Sequence, residues 1–332
     1  MSNKESGVKK DRREFLIRST KAGLLILSSC ATGYLFYNQN DFLSPSGKNE
    51  AVSGLPDFSI KEAGGKMAVV KGDDRIKTVN LAFKAIGGIE TYIKKGDKVL
   101  LKVNAAFASP PSISATTNPQ LLEEVARLCY AAGASFVSVI DNPINDPSSC
   151  FALTGIESAA KLAGAEVVFP EESLFVPMTV EGGSLIKNWP VFYQPLKKAD
   201  KVIGIAPVKD HQRSGASMTM KNWYGLLGGR RNIFHQDIHN IIKELAVMIK
   251  PTLVILDGTV SMMTNGPTGG SLSDLKHTNT MIVGTDQVAV DAYGAELLGK
   301  SVQELAYIEK AYSAGAGNMD YRVLKPEILN TL

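Results

Sequence analysis

The sequence predicts an α/β fold, a largely parallel sheet flanked by helices. Three observations carry that expectation. From Lys66 onward, short apolar runs of strand length alternate with runs of helical period, the rhythm of strand–helix–strand units. Five apolar runs end on or lead into polar groups: Asn104, Asp141, Lys209 with Asp210 and His211, Asp257, and Asp286. Ligands in open α/β sheets bind outside the carboxyl ends of the strands, so such a pattern outlines a site. One segment breaks the rhythm: Leu174–Phe192 holds Glu181-Gly182-Gly183-Ser184 between two apolar runs and reads as a β-hairpin insertion.

In order, the expected strands are Met67–Lys71, Lys98–Val103, Phe136–Ile140, Glu166–Phe169, Lys201–Ala206, Thr252–Leu256 and Thr280–Val283. The expected helices are Ile76–Lys94, Pro119–Ala132, Ile156–Ala163, Ile233–Ile249, Gln287–Leu298 and Val302–Ala314. The hairpin divides the body of residues 66–332 into halves near 66–170 and 195–332. Two lobes and one continuous sheet both fit that division. A chain of 332 residues with 44% hydrophobic and 21% charged residues has ample material for a core.

The chain start has another character. Residues 1–37 contain Arg12-Arg13-Glu14-Phe15-Leu16, then the apolar run Ala22–Leu27 and Ser28-Ser29-Cys30, the order of regions in a secretory signal. The paired arginines before Phe-Leu resemble the twin-arginine motif, which implies export by the twin-arginine translocase to a periplasmic or other extracytoplasmic place. Leu27-Ser28-Ser29-Cys30 resembles a lipoprotein processing box, which would make Cys30 the lipidated residue. Contact with a membrane is then expected only through the signal or its lipid. Residues 38–65, rich in Asn, Ser, Gly, Pro and charge, read as a tether.

Of 36 Lys/Arg and 33 Asp/Glu, the first 21 residues hold seven and three, so the remainder is near neutral. That gives no electrostatic reason to expect nucleic acid as a partner. Only three cysteines are present, so four thiolates for an iron–sulfur cluster are excluded within the chain. Cys129, in an apolar helical run, reads as a packed core thiol.

Chemistry concentrates between Lys209 and Asp257. Lys209, His211 and Lys221 precede the glycine-rich Gly225-Leu226-Leu227-Gly228-Gly229-Arg230-Arg231, which opens a helix. Free backbone N–H groups, a helix start and basic side chains together suit an anion. Lys209, His211 and Lys221 are the candidate catalytic residues, and Asn104, Asn222, Gly225, Arg230 and Arg231 the candidate ligand-binding ones. His235 and His239 are i,i+4 and, with Asp257, form a candidate metal set, although the Glu of a zincin motif is absent. Asn265-Gly266-Pro267-Thr268-Gly269-Gly270 reads as a lid or a turn. Asp286 reads as a helix N-cap. Asp291, in an apolar helical run, needs a partner.

Asn104, Thr116-Thr117-Asn118-Pro119, Lys209-x-His211, Met220-Lys221-Asn222-x-x-Gly225, His235, Asp257-Gly258, Gly266-Pro267 and Gly284-x-Asp286-x-x-Ala289-x-Asp291 together resemble the domain of unknown function 362 family over roughly residues 66–300. That family has no settled activity. Many of its members carry ferredoxin-like cluster motifs, whose cysteines this chain lacks. Gly225–Arg231 is also similar to the Gly-Gly-Arg-Lys segment of nickel-pincer lactate racemases, in which histidines and a lysine hold a cofactor between two α/β lobes. Here Arg231 stands in the lysine's place. The resemblances imply an α/β protein with a ligand site. It is either an enzyme, metal- or cofactor-assisted, redox or racemase-like, acting on a small anion, or a non-catalytic solute- or cofactor-binding lipoprotein. A redox partner is not identified by the sequence.

Overall fold

The computed structural model describes residues 51–331. Arg12, Arg13 and Cys30, and with them the expected export signal and lipidation site, lie outside the described residues. The described part of the expected tether is docked on the body. The Phe58 side chain is buried, and its N–H donates to Lys250 O at 3.0 Å, while Val52 N–H donates to Pro177 O at 3.0 Å. One buried aromatic and two backbone bridges hold what composition alone marks as linker.

Strands are β1 (Met67–Lys71), β2 (Lys98–Lys102), β3 (Phe136–Ile140), β4 (Glu166–Val168), β5 (Val176–Met178), β6 (Trp189–Val191), β7 (Lys201–His211), β8 (Gly215–Ser217), β9 (Leu253–Met262), β10 (Leu275–Gly284) and β11 (Glu327–Asn330). The α-helices are α1 (Arg75–Ala85), α2 (Pro119–Ala131), α3 (Pro147–Leu153), α4 (Ile156–Leu162), α5 (Tyr193–Lys197), α6 (Thr219–Asn222), α7 (Ile238–Met248), α8 (Gln287–Leu297) and α9 (Ala306–Ser313).

Nine strands form one sheet in the order β11-β1-β10-β9-β7-β2-β3-β4, with β8 folded back on β7. Both halves of the body therefore contribute to one continuous sheet. The block β9-β7-β2-β3-β4 is parallel. β10 runs against both β9 and β1. β5 and β6 pair as the expected hairpin, apart from the main sheet.

Period-two alternation sorts the strand side chains into two cores. In β2, Val99 and Leu101 join the core under α1, α2 and α4, while Leu100 joins the one under Trp223, α7 and α8. Cys129 is buried as expected, and burial pushes its thiol up to about 12. Caps fix the helix starts: Asp74, Asn118 and Asp286 each accept backbone N–H groups of α1, α2 and α8.

Several expected boundaries shift. The helix expected over Ile76–Lys94 stops at Ala85, because Gly87 and Gly88 take φ of 104° and 84°. The helix expected over Ile233–Ile249 is a 3-10 segment, Arg231–Asp237, followed by α7. Asp286 lies at the opposite sheet edge from Asn104, Asp141 and Lys209, since β10 is antiparallel. Gly284 at the end of β10 pairs with Met67 at the start of β1. The sequence pattern treated β10 as one more parallel strand, and apolar content does not encode direction.

Candidate functional site

The site is built on the far end of β7. This strand runs past Ala206 to His211 because β8 folds back on it, placing Lys209 opposite Ser217 and His211 opposite Gly215. Lys209 and His211 are two residues apart and so share a strand face. Lys221 and Asn222 arrive on α6, a single turn anchored by the buried Asp291 of α8. The Asp291 carboxylate accepts from Thr219 N–H at 2.8 Å and Met220 N–H at 3.2 Å. This is the partner that a carboxylate in an apolar helix requires. Burial still pushes Asp291 up to about 7, against those hydrogen bonds.

Below the site lies an ion pair. Lys102, fully buried at the end of β2, sits 2.8 Å from Asp141 Oδ1, at the end of β3. Lys102 Nζ also donates to Val103 O at 2.6 Å and to Asn222 Oδ1 at 3.3 Å. Asp141 further accepts from Ala105 N–H at 2.6 Å and Asn142 N–H at 2.8 Å. Burial pushes Lys102 down and Asp141 pulls it back up. Gly225 crosses directly over this pair. A Cβ there would lie 1.9 Å from Asp141 Oδ1, so only glycine fits.

Above the pair is a cleft of about 80 Å³, lined among others by Asn104, Phe107, Lys209, His211, Lys221, Tyr224, His235 and Pro267. Its charge is positive. Lys209 is buried and donates to Ala115 O at 2.6 Å; Lys221 is half-buried and lies 5.3 Å from the Tyr224 ring centre. Among the described residues neither has a carboxylate within ion-pair distance. Burial, reinforced by Lys221, pushes Lys209 down to about 7. Burial, reinforced by Arg231, pushes Lys221 down to about 8.

The two histidines have opposite polarity. His211 Nδ1 accepts from the N–H groups of Arg213 and Ser214, both at 3.2 Å, which places the proton of the neutral ring on Nε2. Burial and the surrounding cations push His211 down to about 2, so the ring stays neutral. His235 Nδ1 lies 3.3 Å from Asn232 O, an acceptor only, and 3.1 Å from Tyr224 Oη. Tyr224 gives its own proton to Arg231 O. His235 Nδ1 therefore carries the hydrogen, and its Nε2 keeps a lone pair. The rings stack with centroids 6.0 Å apart. Asn104 Oδ1 is buried without a hydrogen-bond partner.

Asn104, Lys209, His211, Lys221, Asn222, Gly225, Arg231 and His235 thus come together, in part with roles other than ligand contact. Asn222 Nδ2 donates to Lys102 O and Ile205 O, tying α6 to β2 and β7. Arg231 spends its guanidinium on four carbonyls: Tyr224, Leu227, Asn142 and Pro143. Arg230 is exposed and lines no part of the cleft.

The metal set expected from His235, His239 and Asp257 does not assemble. His239 stacks on Tyr307, with centroids 6.3 Å apart, and Asp257 pairs with Arg75 at 2.7 Å. The 3-10 segment before α7 removes the continuous helix on which the i,i+4 argument stood. Among the described residues no three His, Cys, Asp or Glu side chains are grouped so as to hold a metal ion. A cofactor attached at the position of Arg231 does not fit either, because that side chain is consumed by backbone carbonyls.

Sequence reasoning did not place Lys102 in the site. Its signal was present: a lysine within Val99-Leu100-Leu101-Lys102-Val103 needs a counter-charge if that strand is buried.

The family described as Domain of unknown function (DUF362) matches residues 99–296, more than half of the chain. The chain belongs to this family. The DUF362 match spans every residue that lines the cleft, Asp141 among them, as well as its partner Lys102. A curated relative, the thylakoid-associated protein sll1697 of Synechocystis, is 26% identical over 238 residues, covering 67% of this chain and 70% of the relative. A solved structure, the lactate racemase apoprotein from Thermoanaerobacterium thermosaccharolyticum, aligns at 14% identity with a TM-score of 0.38. That alignment covers 77% of this chain, which spans 63% of the racemase's length.

Proposed function

We propose that this DUF362 protein binds a small anionic molecule in the cleft at the carboxyl end of β7. The observation that carries this reading is the pair Lys209 and Lys221, brought to one cleft whose lining carboxylate, Asp141, is taken up by Lys102 and lies outside ion-pair distance of either. Two cations held in partial desolvation are stabilised by an anion between them. The Nε2–H of His211 supplies a neutral donor, and the lone pair on His235 Nε2 supplies an acceptor on the same cleft.

The leader Arg12-Arg13-Glu14-Phe15-Leu16 supports export by the twin-arginine route, with Cys30 as the lipid anchor. The name of the Synechocystis relative, thylakoid-associated, agrees with a protein that works at a membrane.

The test is a thermal-shift screen of small carboxylates and phosphates on the full-length protein, followed by calorimetry on the best ligand. Lys221→Ala should weaken its binding by about 1.5–3 kcal/mol, the range for a charge-assisted hydrogen bond out of water. A loss under about 1 kcal/mol that fades with salt would mark an open surface contact and refute the reading. If binding survives in His235→Gln while turnover of the ligand stops, the site is catalytic. If no turnover is found in the native protein, the non-catalytic binding reading holds.

A further inference from the structure

The cleft has two unlike halves. Its floor is charged and polar: Lys209, Lys221, His211 and Asn104. Its mouth carries three apolar side chains beside Asn142: Phe107 and Pro267, half-buried, and Ile144, exposed. We propose that the anion taken by this site carries an apolar arm of a few carbons, its head on the floor and its arm leaving between Phe107, Ile144 and Pro267. This rests on the anion reading above and adds the chemistry of the rest of the ligand.

Three features support an arm. First, the cleft is small. Its whole volume, mouth included, is about 80 Å³, which admits a carboxylate or phosphate head and little more, so the rest of any larger ligand must extend out past the mouth. Second, the mouth is held open by the backbone. Ile144 N–H donates to Ala106 O at 3.0 Å, and the Arg231 guanidinium holds the carbonyls of Asn142 and Pro143. That fixes Ile144 in water with 65% of its surface exposed. A lone exposed isoleucine is ordinary, but here Phe107 and Pro267 line the same opening, which makes a patch beside a charged pocket. Third, the two halves are continuous. The Phe107 ring centre is 5.4 Å from Lys209 Nζ, so a ligand leaving the lysine meets the ring at once. The Pro267 side is equally fixed: a Cβ on Gly266 would lie 1.9 Å from Asp210 O, so that loop is pressed against β7. A ligand that was charged throughout would leave this mouth unsatisfied, and a wholly apolar one would leave two lysines without a counter-charge.

Calorimetry on the full-length protein with two ligand series tests this: formate, acetate, butyrate and hexanoate, and inorganic, methyl, butyl and hexyl phosphate. In at least one series Kd should tighten by about twofold to fourfold per methylene, the upper factor following from ~0.8 kcal/mol for a fully buried CH2. The steeper series identifies the head group. Ile144→Ser should flatten that slope and leave the affinity for formate or inorganic phosphate unchanged. Ile144 is exposed, so its replacement leaves the fold intact. Binding of the short anions with no gain on lengthening would overturn the arm and spare the anion reading. If no member of either series binds, both fall.

Discussion

Replacing Asp141 with asparagine should be among the most damaging single substitutions in this fold. The Asp141 carboxylate is buried, faces Lys102 Nζ at 2.8 Å, and accepts the N–H groups of Ala105 and Asn142. The amide removes the charge at nearly constant volume and leaves the Lys102 ammonium buried with no counter-ion. Breaking one side of such a pair costs about 3–5 kcal/mol. Against a total stability of roughly 5–15 kcal/mol, that is a large share. Urea unfolding followed by the fluorescence of Trp189 and Trp223 measures it.

The pH dependence has a definite sign. With Asp141 gone, burial, reinforced by Arg231, acts on Lys102 unopposed and lowers its folded pKa further. The unfolded chain then holds more protons than the folded one, so the deficit of the variant is largest near neutrality and shrinks as pH rises toward the ordinary lysine value of 10.5. A Lys102→Met, Asp141→Asn double variant, with no unpaired buried charge, should recover more than half of the loss. A single-variant loss below about 1 kcal/mol, or a double variant no better than the single, would refute the reasoning.

Other expectations follow from the same geometry. Gly225→Ala drives a Cβ to within 1.9 Å of Asp141 Oδ1 and should cost about 1–3 kcal/mol by overpacking, read as a lower urea midpoint; a neutral outcome would mean that the loop yields freely. Anion binding should take up protons near pH 8 and weaken as pH rises from about 7 to about 9, because Lys209 at about 7 and Lys221 at about 8 must be charged in the complex. Calorimetry in two buffers of different ionisation enthalpy measures that uptake, and a pH-independent affinity would contradict it. Replacing Arg12 and Arg13 with lysine should leave precursor in the cytoplasm, seen by fractionation; unchanged export would remove the twin-arginine reading.

Much of the architecture was legible because alternation of short apolar runs and helical periods is a strong signal. A largely parallel sheet flanked by helices and the β5–β6 hairpin follow from it directly. The strand order and the reversed direction of β10 were not legible. Asp286 follows an apolar run as Asp141 does, yet β10 is antiparallel and carries it to the other edge. Within the site, Lys209, His211, Lys221 and His235 were readable as a cluster of basic and imidazole groups near a glycine-rich loop. Their division of labour was not, because it depends on backbone carbonyls and N–H groups. Arg231 looks like a ligand residue until four carbonyls are seen to hold it. Asp291 was marked by its misfit in an apolar helix, and α6 is what it serves. His239 was misleading for a local reason: a 3-10 turn before α7 changes the angular step, and the i,i+4 pair no longer shares a face.

The claim that the cleft is an anion site is tested most directly by crystal structures of the protein grown with and without its best-binding carboxylate or phosphate. The account predicts density for the head group within about 3 Å of Lys221 Nζ and His211 Nε2, with Arg231 still on its four carbonyls. A ligand bound elsewhere, with this cleft unchanged between the two crystals, would contradict it.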